Sequence, residues 1–456
     1  MLAHIPFPIL PAPPSWFPGH MLQFQRNLPH LLTRTDVVLE LRDARLPLTS
    51  INRKFEGALQ TWRRERGAIP TPPPANDAGP SALPMTPRAT GSGLVCERIV
   101  VFNKRDLVPE WGIKPFERAM AAKYPDQRVF FASWNKTRDI KALNELLVGV
   151  AKHNPHAPEM NVLVVGMPNV GKSTLLNALR NIGIAGREQF FVRSRSVPSA
   201  ANSVGTAHWG TSWITRAIST RLKLSIDPLV YAWDTPGVML PFLGNGDSGA
   251  ERGVKLALIA GIKEGLYDID ALASYLLYRL NVLDPVSPAY LQILPPGTQP
   301  LTDVYEFLDL LAKRLGMLRR GGIRDTARAA VWFVQWWRGE GGLAAAASPR
   351  AAARGWGFDF QWDLADPPDS DPSAGAVAPP DATGAGSEKS QERHDEAVIQ
   401  AQMEACIDRF ERGIDEEEVG GANVSKTQEK KKVRQDLLAR RKAKADRKWA
   451  KKVAGV

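Results

Sequence analysis

Between residues 37 and 234 the chain returns again and again to short, almost wholly apolar runs, each followed by a longer amphipathic stretch. "DVVLELRDAR" carries Val37, Val38, Leu39 and Leu41, and "RIVVFNKRD", "RVFFAS", "MNVLVVG" and "LVYAWDTPG" repeat the theme. Such runs suit strands buried on both faces of a parallel sheet, where alternation with polar residues is not required. The stretches between them read as helices: one near Trp111 to Lys123, one from Lys141 to His153, and "STLLNALRNIG", stopped by Gly183. Strand and helix in this rhythm predict a parallel sheet covered by helices on both faces. "TRAISTRLKLS" and "LVYAWDTPG" are separated by only a few residues around Asp227 and Pro228, so this pair is expected to form an antiparallel hairpin.

From about Leu301 the period changes to that of a helix, with Val304, Phe307, Leu308, Leu311 and Leu315 on one face and Gly316 as a stop. A second helix, Asp325 to Arg338, carries Val331, Trp332, Val334 and Trp336, which are expected in a core. Two stretches show no period that could bury a face and read as disordered: the Pro/Gly/Ser-rich segment 61–94 and the Ala/Pro/Gly/Asp-rich segment 346–395. The pattern therefore divides the chain into an α/β domain at 15–270 with an insertion at 61–94, a helical domain at 271–345, a disordered linker at 346–395 and a helical, basic tail at 396–456.

Composition adds three constraints. Cys96 and Cys406 are the only cysteines and lie far apart without histidine companions, so neither a disulfide framework nor a zinc site is expected, and a reducing compartment is the default. No run of about 18 apolar residues offers a transmembrane segment. The net charge of +11 sits almost entirely in residues 425–456, where thirteen Lys and Arg face only Glu429, Asp436 and Asp446. A basic arm of this kind is a handle for an anionic polymer or surface, RNA first and anionic lipid second. The amino terminus has no acidic residue before Asp36, as in a mitochondrial targeting segment, although it is rich in proline and poor in arginine.

The chemistry is carried by three motifs. In "NVLVVGMPNVGKST", Gly166 and Gly171-Lys172-Ser173 are spaced as a phosphate-binding loop between a strand and a helix. Its glycines let the N–H groups of Asn169, Val170 and Gly171 curl toward phosphates, Lys172 reaches the terminal phosphates, and Ser173, followed by Thr174, ligates magnesium. "VFNKRD" places Asn103, Lys104 and Asp106 at a strand end, where a carboxylate accepts both guanine N–H groups and rejects adenine. The backbone of Ala132 and Ser133 in "FFAS" is then placed to meet the guanine O6, so GTP rather than ATP is expected. "WDTPG" puts Asp234 behind the magnesium and the N–H of Gly237 on the γ-phosphate. Val238 stands where Ras-like enzymes place the glutamine that orients water, so intrinsic hydrolysis should be slow or depend on another group. Thr206, Thr211 and Thr215 are candidates for the switch threonine that closes over the metal, and Thr215 is favoured because it directly precedes the hairpin strand.

The order NKRD, FAS, GMPNVGKST, WDTPG is a circular permutation of the usual GTPase order. With "WFPGHM" at Trp16 to Met21, "DVVLELRDARLPLTSIN" from Asp36 and "GVKLALIAGIKEGLYD" beyond the last motif, the chain resembles the circularly permuted GTPases of the YlqF type, the bacterial ribosome biogenesis GTPase A, and most of all their mitochondrial ribosome-associated members. The resemblance covers about Ser15 to Gly342 apart from 61–94. It implies a phosphate-loop GTPase sheet of the α/β class, a small all-helical domain that touches rRNA, and GTP hydrolysis coupled to maturation of the large ribosomal subunit in mitochondria, in the matrix or peripheral to the inner membrane. It also implies a part in hydrolysis for His20 and a potassium ion at Asn169. The family's Pro-Gly before the switch threonine is Ser212-Trp213 here, and the segments after Gly342 have no counterpart in the resemblance. A GTP-driven assembly switch is thus expected. Its rivals are an RNA-binding scaffold with a nucleotide site that does not turn over, and a membrane-attached signalling GTPase.

Overall fold

The computed structural model describes residues 4–14, 17–67, 95–184, 221–239, 243–263, 265–348, 350–364 and 385–419. After α1 (Gly19–Leu32), the chain enters the middle of a sheet as β1 (Val37–Asp43) and continues through α2 (Arg53–Glu65) to β2 (Glu97–Asn103). It then moves outward through α3 (Ile113–Lys123) to β3 (Arg128–Ala132). α4 (Thr137–Lys152) carries it back to β4 (Met160–Gly166), followed by α5 (Lys172–Ile184), β5 (Leu222–Ser225) and β6 (Val230–Asp234). The strand order is β3-β2-β1-β4-β6-β5, parallel throughout except for the expected antiparallel β5–β6 hairpin at the edge.

The order of strands reverses between β1 and β4, and an α/β sheet leaves its binding crevice at such a point, beyond the carboxyl ends of the strands. Register brings those ends together: Asp43 pairs with Asn103, Asn103 with Ala132, Leu41 with Gly166, and Val164 with Asp234. Motifs permuted along the chain therefore meet at one edge. Not every residue in the strands is apolar. Glu40 and Arg42 of β1 are buried, joined to each other at 2.7 Å, and Arg98 of β2 reaches Glu40 at 2.6 Å and Glu56 of α2 at 2.8 Å.

Residues 61–67, expected within the insertion, instead complete α2 and the turn after it. The reason is a buried face that composition averages away: Leu59 and Trp62 are covered, and Trp62 Nε1 donates to the Thr35 carbonyl at 3.2 Å. Residues 68–94 lie outside the described residues.

Beyond the sheet, α6 (Gly246–Leu258) leads into a helical unit of α7 (Ile269–Leu283), α8 (Val304–Leu315) and α9 (Thr326–Trp336). Asp303 and Asp325 cap the last two by accepting from Tyr305 and Arg328 N–H, and Gly316 ends α8 in the left-handed conformation. Tyr290, Phe307 and Phe333 form its aromatic centre. Of the α9 residues expected in the core, Val334 is buried, Trp332 and Trp336 are half-buried, and Val331 is exposed, because the buried face runs through Ala329, Ala330, Phe333 and Val334. At the other end of the chain, Phe7 packs edge-on against Tyr275 and Tyr278 of α7.

Residues 346–364 were expected to be disordered, yet the described ones are ordered. After α10 (Gly342–Ala346) and α11 (Ala351–Arg354), β7 (Gly355–Trp356) and β8 (Phe360–Gln361) make a small hairpin. Trp356, Phe358, Phe360 and Trp362 are all buried, and Trp356 lies 5.2 Å from Phe116 of α3, directly over Gly112. Asp359 clamps the hairpin to the end of the β1 motif by accepting from Leu48 and Thr49 N–H at 2.8 Å each. α12 (Ala385–Val419) starts earlier than expected and packs along α3, with Met403, Cys406 and Ile407 buried and Lys123 paired to Asp408 at 2.6 Å. Among the described residues no helix is long and apolar enough to cross a membrane.

Candidate nucleotide site

The phosphate loop follows β4 and turns into α5 with Asn169 and Gly171 in left-handed conformations. A side chain at Gly171 would be strained by that φ of 93° and would bring its Cβ within 2.8 Å of Asn103 Nδ2 and 3.0 Å of the Trp134 ring. Lys172 is buried and its Nζ donates to the Met167 carbonyl at 2.7 Å. Burial brings the Lys172 ammonium down to about 8, with Asp234 opposing the fall. Ser173 Oγ contacts the Asp234 carboxylate directly, and Thr174 is exposed on the first turn of α5.

The expected guanine reader joins this loop. Asn103 is fully buried, and its Nδ2 donates to the Val170 carbonyl at 2.6 Å. Lys104 follows in a left-handed conformation, and Asp106 sits half-buried in the short 3-10 turn Arg105–Leu107. Ala132 and Ser133 are buried at the end of β3, but the Ser133 N–H, expected to face the base, donates to Asp139 Oδ2 at 3.1 Å. The carboxylate of Asp139, in the first turn of α4, accepts from that amide and occupies it. Trp134, which sequence reasoning passed over, is the residue of this stretch that reaches Gly171.

Asp234 ends β6 opposite Ser173, and the chain then crosses the phosphate loop so tightly that a Cβ on Gly237 would lie 2.5 Å from Pro168 Cα and 3.1 Å from Lys172 Nζ. Val238 N–H donates to the Gly166 carbonyl at 3.1 Å while its side chain is buried, so position 238 offers no polar group. Asn169 Nδ2 donates to the Ala260 carbonyl at 2.7 Å, just beyond α6. His20 is half-buried in the first turn of α1, beside the buried Met21. Thr215, with Thr206 and Thr211, lies outside the described residues.

Comparison with known proteins shows the family. Residues 161–273 match the family model of a 50S ribosome-binding GTPase. Mitochondrial GTPase 1 of Schizosaccharomyces japonicus is 31% identical over 345 residues, covering 71% of this chain and 87% of that protein. The chain belongs to the mitochondrial GTPase 1 family. It is a GTPase. Mitochondrial ribosome-associated GTPase 1 of Xenopus tropicalis is 28% identical, covering 67% of this chain and 81% of that one. Among solved structures, GNP-bound YlqF from T. maritima is 18% identical, covers 71% of this chain and 95% of its own, and aligns with a TM-score of 0.40.

GTPases of this kind work with magnesium, and the residues of this one fit it. Ser173 and Asp234 bring a hydroxyl and a carboxylate together at the mouth of the phosphate loop, the hard oxygen donors that magnesium requires. Ser173 would hold the ion and Asp234 would support it, and the ion would neutralise charge on the β- and γ-phosphates.

Two further residues were missed in the sequence as functional candidates. Asp43, at the end of β1, is fully buried between Lys104 Nζ at 2.8 Å and Arg45, which grips both carboxylate oxygens at 2.9 Å. Burial alone would raise the Asp43 carboxyl, but the two cations outweigh it and hold the group well below the ordinary carboxylate range. The signal was a charged pair, Asp43 and Arg45, at the carboxyl end of β1; its partner Lys104 is too distant in sequence to be inferred.

Proposed function

We propose that this GTPase is an assembly factor for the large mitochondrial ribosomal subunit, binding it in the GTP state and releasing it after hydrolysis. The observation that carries the switch is the crossing of Gly237 over the phosphate loop, against Pro168 and Lys172. A γ-phosphate on Lys172 must engage or displace this crossing, so nucleotide state is converted into a position of the chain entering α6 and the helical unit. Asn103, Lys104 and Asp106 read guanine, Lys172 and the N–H groups of Val170 and Gly171 hold the phosphates, and Gly237 meets the γ-phosphate. His20 acts in hydrolysis and Thr215 closes over magnesium in this reading. Asn169 takes potassium in the same reading, as the family resemblance implies.

The ribosomal partner is supported by relatives named mitochondrial ribosome-associated GTPase 1 and by the basic tail of residues 425–456, with rRNA as the surface it meets and the mitochondrial matrix as the place. The division into a GTPase domain at 15–270, a helical domain at 271–345 and a basic tail belongs to the same proposal. GTP hydrolysis measured with and without large mitochondrial subunits, in potassium and in sodium, tests it. A slow basal rate that rises by about tenfold or more with subunits is expected, on the precedent of GTPases activated by a partner. No stimulation in either salt would reject the switch in favour of a scaffold.

A further inference from the structure

Three non-glycine residues have left-handed backbones among the described ones: Lys104 (φ 63°), Asn169 (φ 60°) and Ala260 (φ 61°). A Cβ makes this conformation unfavourable, so each needs surrounding structure to hold it, and such residues gather at functional sites. All three lie on one circuit of polar contacts that leaves the nucleotide site, passes through the helical unit and returns.

On the guanine side, Lys104 is tied to Asp43 and Asp43 to Arg45 by the contacts above. Arg45 Nη1 then donates to the main-chain carbonyl of Arg338 at 3.3 Å, with its guanidinium 5.0 Å from the centre of the Trp337 ring. Arg338 lies in a π-helical turn, Trp337–Gly341, directly after α9. Single π-turns within helices shift the partner of each carbonyl by one residue and recur at functional sites. The Arg338 side chain reaches the carboxyl end of α6, where Nε donates to the Leu258 carbonyl at 2.7 Å and Nη2 to the Ala257 carbonyl at 3.0 Å. A cation suits the carbonyl-rich end of a helix. Ala260, two residues past Leu258, receives the Asn169 amide, and Asn103 closes the circuit on the Val170 carbonyl.

We propose that Arg338 is a positioning residue of the GTPase site. It fixes the end of α6 so that Ala260 holds Asn169 of the phosphate loop, and through Arg45 it couples that setting to Lys104 on the guanine side. A partner that moves the helical unit would therefore alter phosphate-side and base-side contacts together. The inference rests on the reading that Asn169 and Lys104 meet the nucleotide.

The test compares Arg338→Ala, Arg338→Lys, Arg45→Lys, Asn169→Ala and the double variant Arg338→Ala/Asn169→Ala in the full chain. Affinity for a fluorescent GDP analogue, kcat and KM for GTP, and Tm are measured for each. Phe333→Leu, a core change in α9 off the circuit, serves as the control for destabilisation alone. Arg338→Ala is expected to raise the Kd for GDP by about 5- to 10-fold, within the usual range of coupling between sites. Arg338→Lys should recover part of the loss, and Phe333→Leu should leave Kd unchanged at a comparable fall in Tm. Because Arg338 acts through the carbonyl that holds Asn169, the double variant should be no weaker than Asn169→Ala alone. Unchanged affinity in Arg338→Ala, an equal effect in Phe333→Leu, or additive losses in the double variant would overturn the proposal. If Arg338→Ala fails to fold, native affinity in both Arg338→Lys and Arg45→Lys overturns it. Native affinity in Asn169→Ala would instead reject the reading of the site on which it stands.

Discussion

At Gly237 the main chain passes close against the phosphate loop and Lys172. A methyl group there would sit 2.5 Å from Pro168 Cα, so Gly237→Ala must push the chain after β6 away from the phosphates. Displacing reacting groups by about 1 Å costs about 100-fold in rate, and a fall of that order in single-turnover GTP hydrolysis is expected, with a smaller loss of GDP affinity. Lys172 makes a second expectation at this scale. With its ammonium at about 8 in the chain alone, bound phosphates favour the charged form, so the complex holds more protons than the free protein once the pH passes that value. GDP affinity should be flat below about pH 8 and fall as pH rises above it. A fluorescence titration from pH 6.5 to 9.5 checks the sign, and a Lys172→Met variant should lose the dependence along with most of the binding.

Among the elements, the hairpin β7–β8 shows what a sequence hides. Its strands are two residues each, and its four buried aromatics are diluted by Ala, Gly and Asp, so no period marks them. Trp356 nevertheless fills the space over Gly112 against Phe116, and Trp356→Ala should cost about 3–5 kcal/mol by the usual scale of large buried truncations. Urea denaturation measures the loss, and amide exchange should quicken in α3, against which both the hairpin and α12 pack. The sheet was legible for the opposite reason. β1, β2 and β4 are buried on both faces, so burial writes itself as runs such as Val37 to Leu39 and Val162 to Val165. That the Asn103 motif would join the phosphate loop was legible, because phosphate and guanine chemistry demands fixed local spacings, and Asn103 does meet the Val170 carbonyl. Asp43, Arg45 and Arg338 were not, since their meaning depends on partners up to 293 residues away.

At the scale of the molecule, the circular permutation sets where the carboxyl-terminal additions leave the GTPase. With the Asn103 motif made first, the chain exits the sheet through Asp234 and Gly237 toward α6, and α12 returns to the start of that same helix. Glu417 receives Arg252 at 3.1 Å and Ser248 at 2.8 Å, so the described part of α12 ends beside the helix that follows Gly237. If the tail binds RNA, its affinity is electrostatic, and each cation that meets a phosphate adds about 0.7–0.9 to the slope of log K against log salt. Of the thirteen Lys and Arg in residues 425–456, engagement of roughly half would make deletion of 420–456 flatten the slope by about 5. Binding to rRNA fragments measured from low to moderate salt, for the full chain and the deletion, gives both slopes. Equal slopes would remove the tail from the RNA interface and leave the helical unit as its carrier. A flattened slope with unchanged basal GTP hydrolysis would show that the tail contributes phosphate contacts to RNA binding and is not needed for basal turnover.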